Sequence, residues 1–380
     1  MTASIEEITG SGLQLLRELL EIRSPSGEEM PAVNHLVRWL SRHGFTAYRD
    51  AAGNAVGVLE AGGRLPDAGN GAAPAPNPEP PAPASQPLRE ILLLGHIDTV
   101  RGFPRVRESN GRLYGRGAVD AKGPLAAFAT AAAAVGRRPG WRIVVVGAVE
   151  EESASSKGAR YIAGQRTPDL VVIGEPTGWQ RVALGYKGRL LADIEFQRMM
   201  SHTAGPAISA PEAAFAYWSR VQALLEELNT GRERPWEQVQ ASLRHIASGD
   251  DGLLETASLR MGFRLPLDIA PETLKSLLIS VDGQGTFRFS GEERAFRAEK
   301  NTPLVRAFLS AIRDHGGEPG FVVKTGTSDM NVVGPIWRCP IVAYGPGDSS
   351  LDHTPNEHVL IEEWRRGVSV LVAMLQCVTA

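Results

Sequence analysis

WRIVVVGAVEEESASSKGARY, residues 141–161, joins a strand-like apolar run to three consecutive acidic residues. Its apolar run, residues 143–149, is continuous rather than alternating in polarity, which is typical of a strand buried on both faces. The run ends in the consecutive glutamates Glu150, Glu151 and Glu152. Neighbouring carboxylates repel one another, so a solvated turn is the simple expectation, and their place at the end of a buried strand requires an explanation.

Two further runs of the same kind occur nearby, REILLLGHIDTV at 89–100 and PDLVVIGEPT at 168–177. Between the first of these and the 141–161 stretch lies AKGPLAAFATAAAAVG, residues 121–136, whose small residues suit a closely packed helix. The order strand, helix, strand predicts an α/β fold with a mostly parallel sheet.

Residues 182–300 have a different pattern, in which strands and helices alternate with more exposed residues. The sequence predicts a strand pair, a helix, a strand, a second helix and a final strand, at 183–197, 209–229, 256–269, 270–281 and 285–296. We interpret 182–300 as a smaller α+β module inserted into a larger α/β domain formed by 1–181 and 301–380.

Residues 61–88 are rich in proline, alanine and glycine and nearly lack large apolar side chains. Such a segment cannot bury enough surface to offset the entropy of ordering it. The sequence predicts a mobile surface insertion, with a disordered binding arm as the alternative.

Composition excludes several classes of protein. The net charge of -3 does not indicate nucleic-acid binding, which usually requires a basic excess. Cys339 and Cys377 are too few for a disulfide framework and are typical of a reducing compartment. The N-terminus carries acidic residues early, unlike a signal peptide, and the apolar run 124–135 is too short to span a bilayer. We therefore expect a soluble cytoplasmic protein without a membrane partner.

Histidines and acids follow the predicted strands where each strand ends. They are His96 and Asp98, Asp120, the glutamate triplet, Glu175, and a late group of His353, Glu357 and His358. Ligand sites of open α/β sheets form outside the carboxyl ends of the strands. Taken singly, each of these residues could have a structural role instead of binding a metal. Examples are a His–Asp hydrogen bond and an acidic residue that stabilises a helix N-terminus. Together they are a ligand set for zinc or related metals, with enough carboxylates for two ions and a general base.

The motifs GHIDTV, GRGAVDAKG, EEE, GEPT and DHTPNE occur in the order and spacing of a known family. The chain resembles the co-catalytic zinc amidohydrolases that include acetylornithine deacetylase, succinyl-diaminopimelate desuccinylase, aminoacylase and carboxypeptidase G. The resemblance implies a zinc-peptidase-like catalytic domain, interrupted by a ferredoxin-like lid domain through which two chains form a homodimer.

The resemblance also assigns roles to residues. It implies a metal site formed by His96, Asp120, Glu152, Glu175 and His353, with Asp120 bridging two divalent ions. Asp98 would hold the second nitrogen of His96, and Glu151 would be the general base. His202 would reach the active site of the partner subunit and polarise the scissile carbonyl. Zinc is the metal that the family implies, and cobalt or manganese would suit the same ligands.

Segment VKTGTSDMNVVG resembles the family's substrate-carboxylate site, which implies contacts from Gly326, Thr327 and Ser328. Arg264 is a further candidate for this contact, although a structural ion pair on its strand is an equal alternative. GRGAVDAKGPL, VEEESASSKGARY, GYKGRL and KTGTSDMN are similar to the subgroup of LysW-lysine or LysW-ornithine hydrolases. That subgroup implies release of lysine or ornithine from the C-terminal glutamate of an acidic carrier protein, in lysine and arginine biosynthesis.

A cluster of arginines after His96 agrees with an acidic partner, because basic clusters can steer one electrostatically. The cluster comprises Arg101, Arg105, Arg107, Arg112 and Arg116. Two other functions remain open from the sequence. A small-molecule N-acyl amino acid deacylase or dipeptidase would share every catalytic residue, and an inactive metal-binding homologue is the non-enzymatic alternative.

Overall fold

The structure is a computed structural model that describes residues 4–61, 88–282 and 284–380. The predicted insertion at 61–88 lies outside the described residues, except for its two ends. The chain divides into two compact units. The first unit comprises Met1–Leu184, Ala298–Val322 and Ile336–Ala380, and the second comprises Gly185–Arg297 and Val323–Pro335. Segment Val323–Pro335, which carries the predicted substrate residues 326–328, thus groups with the 182–300 module.

The described parts of the chain contain the following elements. The helices are α1 (Ile5–Glu21), α2 (Met30–Arg42), α3 (Lys122–Val135), α4 (Lys157–Gln165), α5 (Ala210–Leu228), α6 (Pro271–Val281), α7 (Pro303–Asp314), α8 (Asp329–Trp337) and α9 (Ile361–Val378), with a 3-10 turn at Ser349–Leu351. The strands are β1 (Thr46–Arg49), β2 (Ala55–Glu60), β3 (Arg89–His96), β4 (Arg107–Ser109), β5 (Arg112–Tyr114), β6 (Trp141–Ala148), β7 (Leu170–Gly174), β8 (Arg181–Tyr186), β9 (Gly188–Met199), β10 (Gln240–Asp250), β11 (Leu254–Leu265), β12 (Thr286–Glu293), β13 (Phe296–Arg297), β14 (Gly320–Lys324), β15 (Ile341–Ala343) and β16 (His358–Leu360).

The main sheet of the first unit has the strand order β1-β2-β6-β3-β7-β15-β8. Its centre is parallel, since β3 pairs in parallel with both β6 and β7, and β15 pairs in parallel with β7. These strands are buried almost throughout, as their continuous apolar sequences predicted. The predicted α/β fold is confirmed. The sheet is parallel only at its centre, because β1 pairs with β2, β2 with β6 and β8 with β15 in antiparallel orientation.

Strand register aligns the ends of the three central strands. His96 at the end of β3 pairs with Ala148 at the end of β6, and Gly95 pairs with Gly174 at the end of β7. Parallel strands that end level deliver the residues following them to one edge of the sheet. The predicted metal ligands that follow these strands therefore lie at a common edge.

Close packing of helix α3 explains its run of small residues. Most of α3 is buried, from Lys122 to Ala132. A Cβ added at Gly12 of α1 would lie 1.9 Å from Oγ1 of Thr130, so the two helices approach too closely for any larger residue. Gly12 and the alanines of α3 thus bring the two helices together over the sheet.

The second unit contains an antiparallel sheet with the order β10-β11-β9-β12 and the helices α5 and α6. The chain order β9, α5, β10, β11, α6, β12 with this strand order is ferredoxin-like, as the family resemblance implied. The inward side chains form their own core, which includes Phe196, Tyr217 and Leu259. Strand β10 was not predicted from the sequence, because most of its residues are polar and exposed.

None of the helices in the described parts of the chain combines the length and the hydrophobicity that crossing a bilayer requires.

Candidate metal centre

Asp120 lies between two histidines of the first unit. Its Oδ1 is 3.0 Å from Nε2 of His96, and its Oδ2 is 3.0 Å from Nε2 of His353. Each carboxylate oxygen therefore faces a different imidazole. This is the arrangement that a carboxylate bridging two metal ions requires.

Further carboxylates surround each imidazole. Nε2 of His353 is 3.0 Å from Oε1 of Glu152, and Nε2 of His96 is 4.0 Å from both Glu151 Oε2 and Glu175 Oε1. One ligand atom each from His96, Asp120 and Glu152 lie within 4.8 Å of one another. Ligand atoms around a tetrahedral zinc lie roughly 3.3 Å apart when the bonds are about 2.0 Å long. The spacing and the donor chemistry fit divalent metal ions.

The electrostatics of this cluster also favour cations. Burial lowers the pKa of His96, but the hydrogen bond with Asp120 and the nearby carboxylates of Asp98 and Glu151 outweigh it and hold that pKa well above its ordinary value. Hydrogen bonds with Asp120 and Glu152 raise the pKa of His353 to about 10. Burial, together with the charge of Asp120, raises the pKa of Glu152. In the metal-free chain the imidazolium protons thus supply the positive charge that bound ions would supply.

The backbone leaves strand geometry at the glutamate triplet. Strand β6 ends at Ala148, and Glu150 adopts a left-handed conformation with φ 59°. Beyond it, the N–H groups of Glu151 and Glu152 donate to Oδ1 and Oδ2 of Asp98, each at 3.0 Å. The turn therefore breaks the two-residue alternation of a strand and directs Glu151 and Glu152 to the same cluster.

Glu150 has different partners from the other two glutamates. Its carboxylate accepts a 2.6 Å hydrogen bond from Oγ of Ser155 and lies 3.3 Å from Nζ of Lys157. Its own N–H donates to the buried Glu29, whose carboxylate also accepts from Gly27. The triplet is thus divided between one residue that fixes the turn and two that face the metal centre.

The partner of the second nitrogen of His96 differs from the expectation. Nδ1 of His96 lies 3.0 Å from the backbone carbonyl oxygen of Asp98 and 3.6 Å from its Oδ1. The carbonyl is the hydrogen-bond acceptor, since 3.6 Å is too long for such a bond. The Asp98 carboxylate instead holds the two glutamate N–H groups and accepts a 2.6 Å bond from Ser26.

Two charged residues near the centre, Arg116 and Glu357, form a buried pair that the sequence does not reveal. Arg116 belongs to the arginine cluster for which the sequence predicts a steering role, but its side chain is only 6% exposed and lies 2.6 Å from the carboxylate of Glu357. Glu357, considered only as an extra acid, also accepts the N–H of Asp120. Arg116 lies between two glycines, four residues before Asp120, and that position is the signal that the sequence offers.

The predicted substrate residues lie in the second unit. Nη1 of Arg264 is 2.7 Å from Oγ1 of Thr327, which in turn donates a 3.0 Å bond to the carbonyl of Lys187. Ser328 is buried, and its Oγ accepts a hydrogen bond from the N–H of Met330. A Cβ added at Gly326 would meet no atom within 4 Å. This unit therefore places Arg264 and Thr327 in direct contact.

His202, the predicted lid histidine, is an exposed residue of the loop before α5. Its Nδ1 accepts a 3.2 Å hydrogen bond from the N–H of Ala204. The side chain is thus on the surface of the second unit.

Comparison with known proteins identifies the class to which this fold and centre belong. Residues 92–376 match the peptidase family M20/M25/M40, and the chain belongs to this family. It is 42% identical to a LysW-lysine hydrolase of Deinococcus radiodurans over 370 residues, which is 95% of each chain. It is 33% identical to a putative LysW-lysine/LysW-ornithine hydrolase of Thermococcus kodakarensis, over 96% of this chain and 91% of the relative.

Solved structures of low sequence identity share the fold. The M20 metallo-carboxypeptidase Sso-CP2 of Sulfolobus solfataricus has a TM-score of 0.73 at 17% identity, over 97% of this chain and 99% of that one. A Bacillus subtilis protein described as a dinuclear metal-binding M20 peptidase has a TM-score of 0.66 at 11% identity, over 99% and 100%. The predictions of family, fold and an enzyme that hydrolyses an amide bond are confirmed.

Proposed function

We propose that this chain is a two-metal hydrolase that releases lysine, ornithine or both from the C-terminal glutamate of an acidic amino-group carrier protein. The observation that carries the two-metal part is the position of Asp120, with one carboxylate oxygen toward His96 and the other toward His353. The names of the relatives, LysW-lysine and LysW-ornithine hydrolases, support the substrate. Lysine and arginine biosynthesis are the corresponding pathways.

Each ion would have its own ligands besides the shared Asp120. His96 and Glu175 would hold one ion, and His353 and Glu152 the other. Two bound ions, zinc by preference and cobalt or manganese as alternatives, would polarise the scissile carbonyl and lower the pKa of the attacking water.

Glu151 is the proposed general base. Its Oε2 lies 4.0 Å from Nε2 of His96, so its carboxylate borders the centre. In this position it would take a proton from the attacking water and return it to the leaving amine. Asp98 holds Glu151 by its backbone N–H and so acts as a positioning residue.

The second unit would contribute substrate recognition and dimer formation. Arg264, in contact with Thr327, offers a guanidinium for the substrate carboxylate, with Gly326 and Ser328 in the same segment. His202 would serve the active site of a second copy. Exposed apolar side chains of this unit support a homodimer, among them Phe215 at 68% and Ile246 at 58% exposure.

An acidic carrier fits the loop that follows β3. Arg101, Arg105 and Arg107 are exposed there, and Arg101 is 83% exposed although it lies 3.6 Å from Glu28. Such a cluster would attract a negatively charged protein surface. Arg116 is excluded from this role because it is buried.

The test compares substrates on the zinc-loaded enzyme. Carrier-linked lysine and ornithine are assayed beside N-acetyl-lysine, N-acetylornithine and N-succinyl-diaminopimelate, with amino acid release as the readout. Higher kcat/KM on the carrier-linked substrates is expected. Turnover of the small acyl substrates alone would instead identify a small-molecule deacylase, and a Glu151→Gln variant without loss of turnover would refute the assignment of the base.

A further inference from the structure

The segment before Asp120 is held by a buried carboxylate from a distant part of the chain. Oε1 of Glu357 accepts the N–H groups of Gly117, Val119 and Asp120 at 2.9, 3.0 and 3.1 Å. The glutamate is 1% exposed. Three N–H groups that converge on one oxygen fix the backbone conformation of residues 117–120, and thereby the direction of the Asp120 carboxylate.

The other oxygen of this glutamate is bound to Arg116, which also contacts the backbone of His353, a residue of the same loop as Glu357. Nη1 of Arg116 lies 2.6 Å from Oε2 of Glu357, and Nη2 donates to the carbonyl oxygen of His353 at 3.3 Å. Its Nε donates to the carbonyl of Gly102 at 2.9 Å. One guanidinium therefore joins its own loop, 115–121, to the loops 97–106 and 352–357.

The position of His353 depends on its hydrogen bond with Arg116, whereas the position of His96 does not require a bond of this kind. His96 is the last residue of the buried strand β3, and it is fixed by the sheet. His353 lies in a loop, has a left-handed backbone with φ 61°, and its side chain is 49% exposed. Glu357 accepts a hydrogen bond from the N–H of Asp120, and Arg116 donates one to the carbonyl oxygen of His353. The pair therefore sets the separation of these two ligands.

We infer that Arg116 and Glu357 are positioning residues that confer tight binding on the ion held between Asp120 and His353, more than on the ion at His96. This inference rests on the proposed two-ion site. Loss of the pair would let the His353 loop move away from Asp120. Residues that orient metal ligands typically contribute 10- to 100-fold to metal affinity, so we expect a loss of about that size for one ion.

The experiment measures zinc binding rather than turnover. Metal-free full-length chains, prepared with a chelator, are titrated with Zn²⁺ by calorimetry, and bound zinc per chain is measured after dialysis. In Glu357→Gln, the amide oxygen still accepts the backbone N–H groups of residues 117–120. The amide NH₂ group then faces Arg116, so the charged hydrogen bond to the guanidinium is lost. Arg116→Lys retains the charge but cannot contact Glu357, Gly102 and His353 together. Both variants are expected to retain one tight ion and to bind the second about 10- to 100-fold more weakly.

Two further variants identify the ion and exclude a general loss of stability. His353→Ala is the reference variant for loss of the ion held between Asp120 and His353. In the double variant His353→Ala, Glu357→Gln, zinc affinity should fall little below that of His353→Ala alone. Arg166→Lys perturbs a comparable buried pair, since Nη1 of Arg166 lies 2.7 Å from Glu90 near the opposite end of β3. It should lower the melting temperature without changing zinc binding.

The outcomes separate the inference from the proposed function. If wild type holds two ions and both positioning variants hold two with unchanged affinity, the inference is refuted and the proposed function stands. Equal weakening of both ions in folded variants also refutes it. A wild-type chain that holds fewer than two ions refutes the two-metal proposal itself. If Glu357→Gln fails to fold, as judged by circular dichroism, Arg116→Lys decides the question.

Discussion

The backbone N–H of Glu151 donates a 3.0 Å hydrogen bond to Oδ1 of Asp98. Asp98 is fully buried, and its other carboxylate oxygen holds the next residue, Glu152, in the same way. A single carboxylate therefore orients both the proposed general base and a proposed metal ligand. It does so at the point where the backbone has left the β6 strand.

Replacement of Asp98 by Asn should reduce kcat more than it changes KM. An asparagine side chain has one oxygen, which can accept only one of the two glutamate N–H groups. Its NH₂ group would face the other backbone N–H, so one of the glutamates would lose this hydrogen bond. We expect a loss of about 10- to 100-fold in kcat. Asp251→Asn is the matched control, because Oδ1 of Asp251 accepts the N–H groups of Leu253 and Leu254 in a turn of the second unit. An equal loss in both variants would contradict a specific role for Asp98.

Replacement of Glu151 by Gln should remove the general base while the metal ligands remain. General-base catalysis typically contributes about 10²- to 10⁴-fold to the rate, and we expect a loss of kcat in that range. Zinc content, measured on the same preparation, should remain at the wild-type level. Glu150→Gln, which alters the neighbour paired with Lys157, should retain most activity. Loss of zinc from the Glu151 variant would instead make Glu151 a metal ligand.

Metal binding should release protons and weaken as the pH falls. Hydrogen bonds with Asp120 and Glu152 raise the pKa of His353 to about 10, so at pH 7 the metal-free chain carries a proton there. A metal ion requires the neutral imidazole, and this proton must leave on binding. Below pH 10 the affinity should therefore rise by about tenfold per pH unit for each proton released. Calorimetry in buffers of different ionisation enthalpy counts the protons, and His353→Ala should release fewer.

The grouping of the proposed metal ligands could be predicted from the sequence because it depends on strand register. His96 and Glu175 each follow a buried apolar run, and parallel strands that end level bring such residues together. Strand β10 gave no such signal, since its exposed polar residues are ordered by pairing with β11. The pairing of Arg116 with Glu357 could not be predicted from the sequence either, because the two residues are 241 positions apart. Contacts of this kind are formed only by the tertiary fold.

Replacement of Arg264 by Met should raise KM with a smaller effect on kcat, if its guanidinium holds the substrate carboxylate. A hydrogen bond to a charged group contributes about 1.5–3 kcal/mol, which corresponds to a rise in KM of roughly 10- to 100-fold. Arg260→Met is the matched control on the same strand, where Arg260 pairs with Asp193 at 2.6 Å. An unchanged KM in the Arg264 variant would indicate that its contact with Thr327 is structural.

Removal of the three exposed arginines after β3 should impair only the reaction with a carrier protein. A chain with Arg101, Arg105 and Arg107 all replaced by Ser loses positive charge where an acidic partner would approach. We expect kcat/KM for carrier-linked lysine to fall by about tenfold at low ionic strength, because electrostatic steering raises association rates by 10-fold or more.

Salt and a matched variant decide whether this loss comes from steering. The difference between wild type and the variant should shrink at about 0.5 M salt, where charges on the surface are screened within a few ångströms. A chain with Arg306, Arg313 and Arg365 replaced by Ser has the same change in net charge on the exposed faces of α7 and α9, and it should behave as wild type. Equal losses in the two variants, or a loss that persists in high salt, would show that the loop does not steer the carrier.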